Sequence, residues 1–312
     1  MNATEWTYAV FGIVIVIALI FDLGLLSKRS KKVSIKQASL QTVFWVSLAL
    51  GFFLFVYFEN GQTKALEYIS AYLMEWALSI DNIFVFILIF SYFGISEKHS
   101  NRVLLLGILL AIILRVIFIT VGIAIVQRFE WVLYIFGVFL VYTGVKMFLI
   151  SEENEFEPEK NSIYVFLKKI VPLTSDYGDG KFTKVINGKK YFTILFVVMI
   201  MLATTDIAFA LDSIPAVFAI TQTKMIIYTS NIFAVLGLRS LFFLLRGAVT
   251  KFRHLKEGIA VVLVFIGLKM LIEIFNIHLA IWVSLLVIVS CITGAVLFSI
   301  YSTRKETLRR RI

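Results

Sequence analysis

Nine runs of mostly apolar residues divide this chain, at roughly 7–26, 40–58, 66–93, 103–126, 131–150, 192–219, 226–245, 257–275 and 279–300. Each is close to the ~20 residues needed to cross the hydrocarbon core of a bilayer. A backbone in hydrocarbon has to satisfy its own hydrogen bonds, so runs of this kind fold as helices. Over 312 residues, a 60% hydrophobic and 16% charged composition is too apolar for a soluble chain. The expected fold is an all-α polytopic membrane protein with about nine transmembrane helices, and its bulk partner is the lipid bilayer.

The net charge of +10 does not call for nucleic acid. Segments 27–40, 94–102, 246–256 and 301–312 hold 16 Lys and Arg, against 3 in the N-terminus and the turns near 59–65, 127–130, 220–225 and 276–278. This bias predicts an N-terminus outside and a C-terminus in the cytoplasm, in a bacterial plasma (inner) membrane. The first run has no preceding basic residue and no small-residue cleavage pattern after it, so an anchor is expected there, not a cleaved signal.

Residues 151–190 leave the membrane on the cytoplasmic side of this topology. An acidic run (Glu152, Glu153, Glu155, Glu157, Glu159) leads into a short amphipathic helix over SIYVFLKKIV. Asn187-Gly188 then separates two strand-like runs, the signature of a tight β-hairpin. The chain therefore divides into two N-terminal helices (1–64), a three-helix unit (65–150), the loop with its hairpin (151–190), a second three-helix unit (191–275), and a last helix with a basic tail (276–312).

The two three-helix units repeat one another. Glu75 and Asp81 precede Asp206 and Asp212 by 131 residues, Arg115 precedes Arg239 by 124, and Lys146 precedes Lys269 by 123. A unit of three spans reverses its orientation when repeated, so these are expected to be inverted repeats, the architecture in which transporters build a midplane site.

The acids are the costly feature. An ionisable group at mid-bilayer costs roughly 2.5–3.5 kcal/mol on insertion scales, so each pair needs a partner, a proton or a cation. Positions six apart lie about 120° apart on a straight helix, whereas Glu75, Ser79 and Asn82 share one face, as do Asp206, Ala210 and Ser213. Pro215 cannot donate to the Leu211 carbonyl, which predicts local unwinding that gathers the acids and frees a carbonyl oxygen. Glu75, Asp81, Asn82, Asp206, Asp212 and Ser213 then form an all-oxygen site suited to a hard divalent ion such as Mn²⁺, Mg²⁺ or Ca²⁺. Arg115 and Arg239 either neutralise these acids or act as movable counter-charges when the site empties.

Blander roles compete for the same residues. The acids can pair structurally with Arg115, Arg239, Lys146 and Lys269; the two lysines are expected to snorkel to the interface. Asp22 and Glu273 fit rim positions, and Asn82 or Asn231 fit interhelical hydrogen bonds. With one cysteine, Cys291, and three histidines at span ends, no zinc, copper, haem or dithiol centre is expected. No phosphate loop, nucleophile elbow or zinc-protease helix is present, so no enzyme and no permanently bound cofactor are expected.

E-W-x-L-S-x-D-N at 75–82, D-I-x-F-A-x-D-S-I-P-A at 206–216 and S-N-x-F-A-x-L-G-L-R-S at 230–240 together resemble the TerC family of integral membrane proteins, including its Alx-type members. The resemblance covers about residues 65–275. It implies Glu75, Asp81, Asn82, Asp206, Asp212 and Ser213 as the motif polar residues, a link to tellurium resistance, and association with manganese efflux. Outward movement of a +2 ion against an inside-negative potential costs roughly 4.6 kcal/mol per 100 mV, and no ATP motif is present. The expected function is thus export of a divalent cation, Mn²⁺ first, in exchange for protons. The alternatives are a transporter of an organic ion or oxyanion held by Arg115 and Arg239, and a non-transporting scaffold or stress protein acting through residues 151–190.

Overall fold

The structure, a computed structural model, describes residues 3–26, 34–149, 162–174, 176–246, 255–275, 277 and 279–309. The helices are α1 (Ala3–Leu26), α2 (Ile35–Asn60), α3 (Gln62–Tyr92), α4 (Glu97–Arg128), α5 (Val132–Leu149), α6 (Ser162–Ile170), α7 (Ile194–Phe218), α8 (Lys224–Leu236), α9 (Leu238–Leu245), α10 (Leu255–Ile272) and α11 (Ile281–Arg309). Among the described residues, eight segments are long and apolar enough to cross a membrane, with α8 and α9 counted as one. The α1 helix is itself 24 residues long, and the apolar stretch among its described residues runs over Glu5–Ala18.

Burial sorts these helices into layers. The α3 and α8–α9 segments lie mostly inside the bundle, whereas α2, α5 and α11 bury only a narrow stripe. Their outer faces carry Leu40, Phe58, Val138, Leu286 and Leu297, all more than half exposed. Such a surface suits lipid, not water.

Packing is reciprocal between the halves. The first helix of each unit packs on the second helix of the other (α3 on α8, α7 on α4), and the third helices α5 and α10 lie against each other. Glycines make the last contact close. A Cβ on Gly144 would sit 2.8 Å from the Ala260 carbonyl oxygen, and one on Gly267 would sit 2.6 Å from that of Gly137. Gly144 and Gly267 are the repeat-equivalent pair, so the sequence repeat and the packing repeat coincide at this interface.

Two local expectations change. Pro215 does not unwind its helix: α7 runs without a break from Ile194 to Phe218. The missing Pro215 N–H costs one hydrogen bond, and the packing of Ser213, Ile214, Ala216 and Val217 inside the bundle outweighs it. The interruption lies instead at Gly237, which splits the 226–245 run into α8 and α9 while keeping right-handed helical dihedrals (φ −71°, ψ −18°). It is a kink.

Between α5 and α7, β1 (Thr183–Ile186) pairs antiparallel with β2 (Lys189–Phe192), with Ile186 opposite Lys189. Asn187 and Gly188 both have positive φ, 50° and 74°, as a two-residue type I′ turn requires. The hairpin is docked. Tyr177 donates to the Phe93 carbonyl (3.0 Å), and Arg102 donates to the Gly180 carbonyl (3.0 Å) while its guanidinium lies over the Phe182 ring. These contacts fix the insert to the α3–α4 turn. The acidic run at 152–159 lies outside the described residues.

Candidate functional site

One guanidinium ties the two halves together inside the bundle. Arg115, from the middle of α4, presents Nε and Nη2 to the Asp206 carboxylate of α7 at 2.6 and 3.1 Å, a two-pronged fork. Its Nη1 donates to Glu75 Oε2 of α3 at 2.7 Å and to Asn231 Oδ1 of α8 at 2.8 Å. Exposure is 2% for Arg115, 0% for Glu75 and 1% each for Asp206 and Asn231. The void beside Asp206, lined by Phe86, Gly107, Leu202 and Val235 among others, is too narrow to admit water. The group is dry.

Its charge does not balance. With both carboxylates ionised, Glu75, Arg115 and Asp206 carry one net negative charge, and an uncompensated buried charge costs several kcal/mol. Glu75 Oε1, Ser79 Oγ, Ser213 Oγ and Asn231 Nδ2 are also buried with no hydrogen-bond partner among the described residues. An orphaned buried polar atom typically costs about 1–3 kcal/mol. A proton or a cation at Glu75 Oε1 would balance the charge and give that orphaned oxygen a partner.

The shared faces hold, but the four acids do not converge. Glu75, Ser79 and Asn82 all point inward from α3, as do Asp206, Ala210 and Ser213 from α7. Asp212 turns away toward α5, where it is half-buried and accepts a hydrogen bond from Thr143 Oγ1 at 3.3 Å. The side chain of Asp81 lies outside the described ones. Among the described residues, no three acidic, histidine or cysteine side chains gather as metal ligands. The carboxylates that do meet surround a guanidinium, because α7 stays helical and six residues of spacing keep its acids on different sides.

The other basic residues separate likewise. Arg239, the repeat partner of Arg115, is buried at the start of α9 and engaged by a neighbour. Lys146 is exposed, with its ammonium 5.9 Å from the Tyr142 ring centre. Lys269 does not snorkel: at 6% exposure it donates to the Ala219 carbonyl at 3.1 Å. That carbonyl closes α7, where the helix dipole favours a cation. Glu273 is half-buried in a short 3₁₀ turn, and the side chain of Asp22 lies outside the described ones.

Residues 60–307 match the integral membrane protein TerC family. The chain belongs to the TerC family. It is 42% identical over 297 residues to an uncharacterized membrane protein, STKORF319, of Myxococcus xanthus, covering 95% of this chain and 92% of that one. It is 40% identical over 294 residues to a Rickettsia felis membrane protein (94% and 97% covered). A Salmonella typhi protein named as a putative membrane-bound redox modulator, Alx, is 41% identical over 292 residues (91% and 90% covered). No solved structure matches the chain.

Within this TerC-family chain, Asn231 makes an interhelical hydrogen bond as its sequence position suggested, but only the structure names Arg115 as its partner. Gly107 occupies the equivalent place in the first repeat, eight residues before its arginine. The asymmetry has a steric cause: a Cβ on Gly107 would lie 3.3 Å from Leu202 Cβ where α4 crosses α7. Thr143 as the partner of Asp212 carries no sequence signal, being one of several threonines inside spans.

Proposed function

We propose that this protein is a secondary transporter that exports a hard divalent cation, Mn²⁺ first, in exchange for protons. On this reading it lies in a bacterial plasma membrane with its N-terminus outside. Glu75 and Asp206 are the exchanging carboxylates, and Asn82, Ser79 and Ser213 supply further oxygens from the same two faces. The observation that carries the reading is the Glu75–Arg115–Asp206 bridge between the halves, buried and one negative charge in excess with both acids ionised. Arg115 holds the carboxylates when no ion is bound. An arriving cation competes for the same oxygens, and its departure leaves them to protons and the guanidinium. Carboxylates bind metal only when deprotonated, so ion and proton exclude each other by chemistry alone.

Asp81 and Asp212 complete the acidic motif and are assigned to the path on either side of the bridge. Arg239 serves as the second counter-charge. A dithiol redox cycle is unsupported, since Cys291 is the one cysteine in this chain.

The test is Mn²⁺ flux into proteoliposomes under an imposed pH gradient, comparing the wild type with Asp206→Asn. Gradient-driven flux in the wild type and its loss in the variant is the expected result. Normal flux through Asp206→Asn would overturn the mechanism, and a wild type that ignores Mn²⁺ but moves another divalent ion would change the substrate.

A further inference from the structure

At the end of the bundle opposite the hairpin, oxygens from both halves surround an ammonium. Lys64 Nζ, in the first turn of α3, lies 2.9 and 3.0 Å from the two oxygens of Glu67 and 2.7 Å from Thr223 Oγ1. Thr221 Oγ1 donates to Glu67 Oε2 at 2.5 Å, and Thr223 Oγ1 reaches the same atom at 3.3 Å. Both threonines belong to the α7–α8 turn, so this cluster also crosses between the halves. Beside it lie the Lys269 ammonium and the Ala219 carbonyl at the end of α7. Glu67 and Glu273 are both within electrostatic reach of Lys269.

The plain reading is a surface ion pair of the i,i+3 kind, which contributes little. Two features argue against it. Glu67 is 9% exposed and Thr221 5%, so the carboxylate and one hydroxyl are withdrawn from water. The oxygens also converge: a carboxylate facing one cation through both atoms, with hydroxyls from another helix pair, is the all-oxygen donor set that hard divalent ions take. Its present occupant is a compact charge on a flexible stem, and the Lys64 side chain, 37% exposed, has room to swing out.

We propose that Glu67, Thr221 and Thr223 form a second cation station, and that the Lys64 ammonium is a tethered stand-in that a divalent ion displaces. This rests on the transporter reading above and places the station at the exit end of the path from Glu75 and Asp206. An ion passing outward exchanges with Lys64. When the ammonium reseats, it expels the ion and binds α3 back to the α7–α8 turn, closing the route behind it.

The test is Mn²⁺ binding to the full-length protein in detergent, followed by electron paramagnetic resonance of free Mn²⁺. Lys64→Met removes a like charge from within hydrogen-bonding distance of the ion position, so binding at one site should tighten about tenfold or more. Adding Glu67→Gln should erase that gain, and Lys64→Arg, which keeps the charge, should bind as the wild type does. A Lys64→Met titration that superimposes on the wild type, or a gain that survives Glu67→Gln, overturns the station. Flux through Asp206→Asn reads the central site separately. Loss of flux there with an unchanged Lys64→Met titration refutes the station alone, and a Lys64→Met gain with normal Asp206→Asn flux refutes the central path alone.

Discussion

Replacing Arg115 by methionine leaves a side chain of similar length and removes every side-chain donor that Glu75 and Asp206 have among the described residues. Both carboxylates are at most 1% exposed, so neither gains solvent in exchange. Breaking a buried pair by removing one partner costs about 3–5 kcal/mol, because the other charge stays behind uncompensated. Here two are left. The triple variant Glu75→Gln/Arg115→Met/Asp206→Asn removes all three charges together, and exchanging a whole buried ionic group is often near neutral. Thermal unfolding in detergent, followed by far-ultraviolet circular dichroism, should therefore rank the wild type and the triple variant together, with Arg115→Met well below both. Mn²⁺ at a hundredfold excess over its dissociation constant should return about 2.7 kcal/mol to Arg115→Met and nothing to the triple variant. Unfolding of Arg115→Met at the wild-type temperature would refute the charge argument. Equal Mn²⁺ stabilisation of the two variants would refute the assignment of the carboxylates to the ion.

Two further outcomes follow from packing and from the hairpin. Gly267→Ala places a methyl group 2.6 Å from the Gly137 carbonyl oxygen, so α5 and α10 must separate; a loss of about 1–3 kcal/mol is expected in the same unfolding assay, and unchanged stability would show that the contact is loose. In the hairpin, the hydrogen bond from Lys184, with help from the Gly178 N–H, holds the Asp176 carboxyl below its ordinary value of 3.8. A carboxylate with a depressed folded-state pKa stabilises the fold above its unfolded value, and that contribution is lost as pH falls through the folded one. Protease cleavage of the hairpin by an acid-active enzyme should accelerate as pH drops below about 3.8 in the wild type. In Asp176→Asn it should be fast already at higher pH; identical pH profiles would remove Asp176 from the docking.

The hairpin shows where local chemistry suffices. Asn187-Gly188 demands positive φ at both residues and obtains it, because a two-residue turn is decided by its own dihedrals. The inward faces Glu75–Ser79–Asn82 and Asp206–Ala210–Ser213 were equally legible, since a helical period of 3.6 fixes which residues share a side. Pro215 misled for a related reason: its local preference is real, but burial of its neighbours decides the helix. Lys269 misled because position along a span says nothing of the carbonyl that another helix brings to it.

The sequence by itself determined the membrane class, the helices, the repeat and the inward faces Glu75–Ser79–Asn82 and Asp206–Ala210–Ser213. These follow from run length and period, which are properties of neighbouring residues. Only the tertiary structure decided that Arg115 bonds Glu75, Asp206 and Asn231, that Asp212 pairs with Thr143 instead, and that Glu67 meets Thr221 and Thr223. Those partners lie 40 to 156 residues apart in the chain. Which of them touch depends on how closely helices cross, and small side chains such as Gly107 at the α4–α7 crossing set that distance.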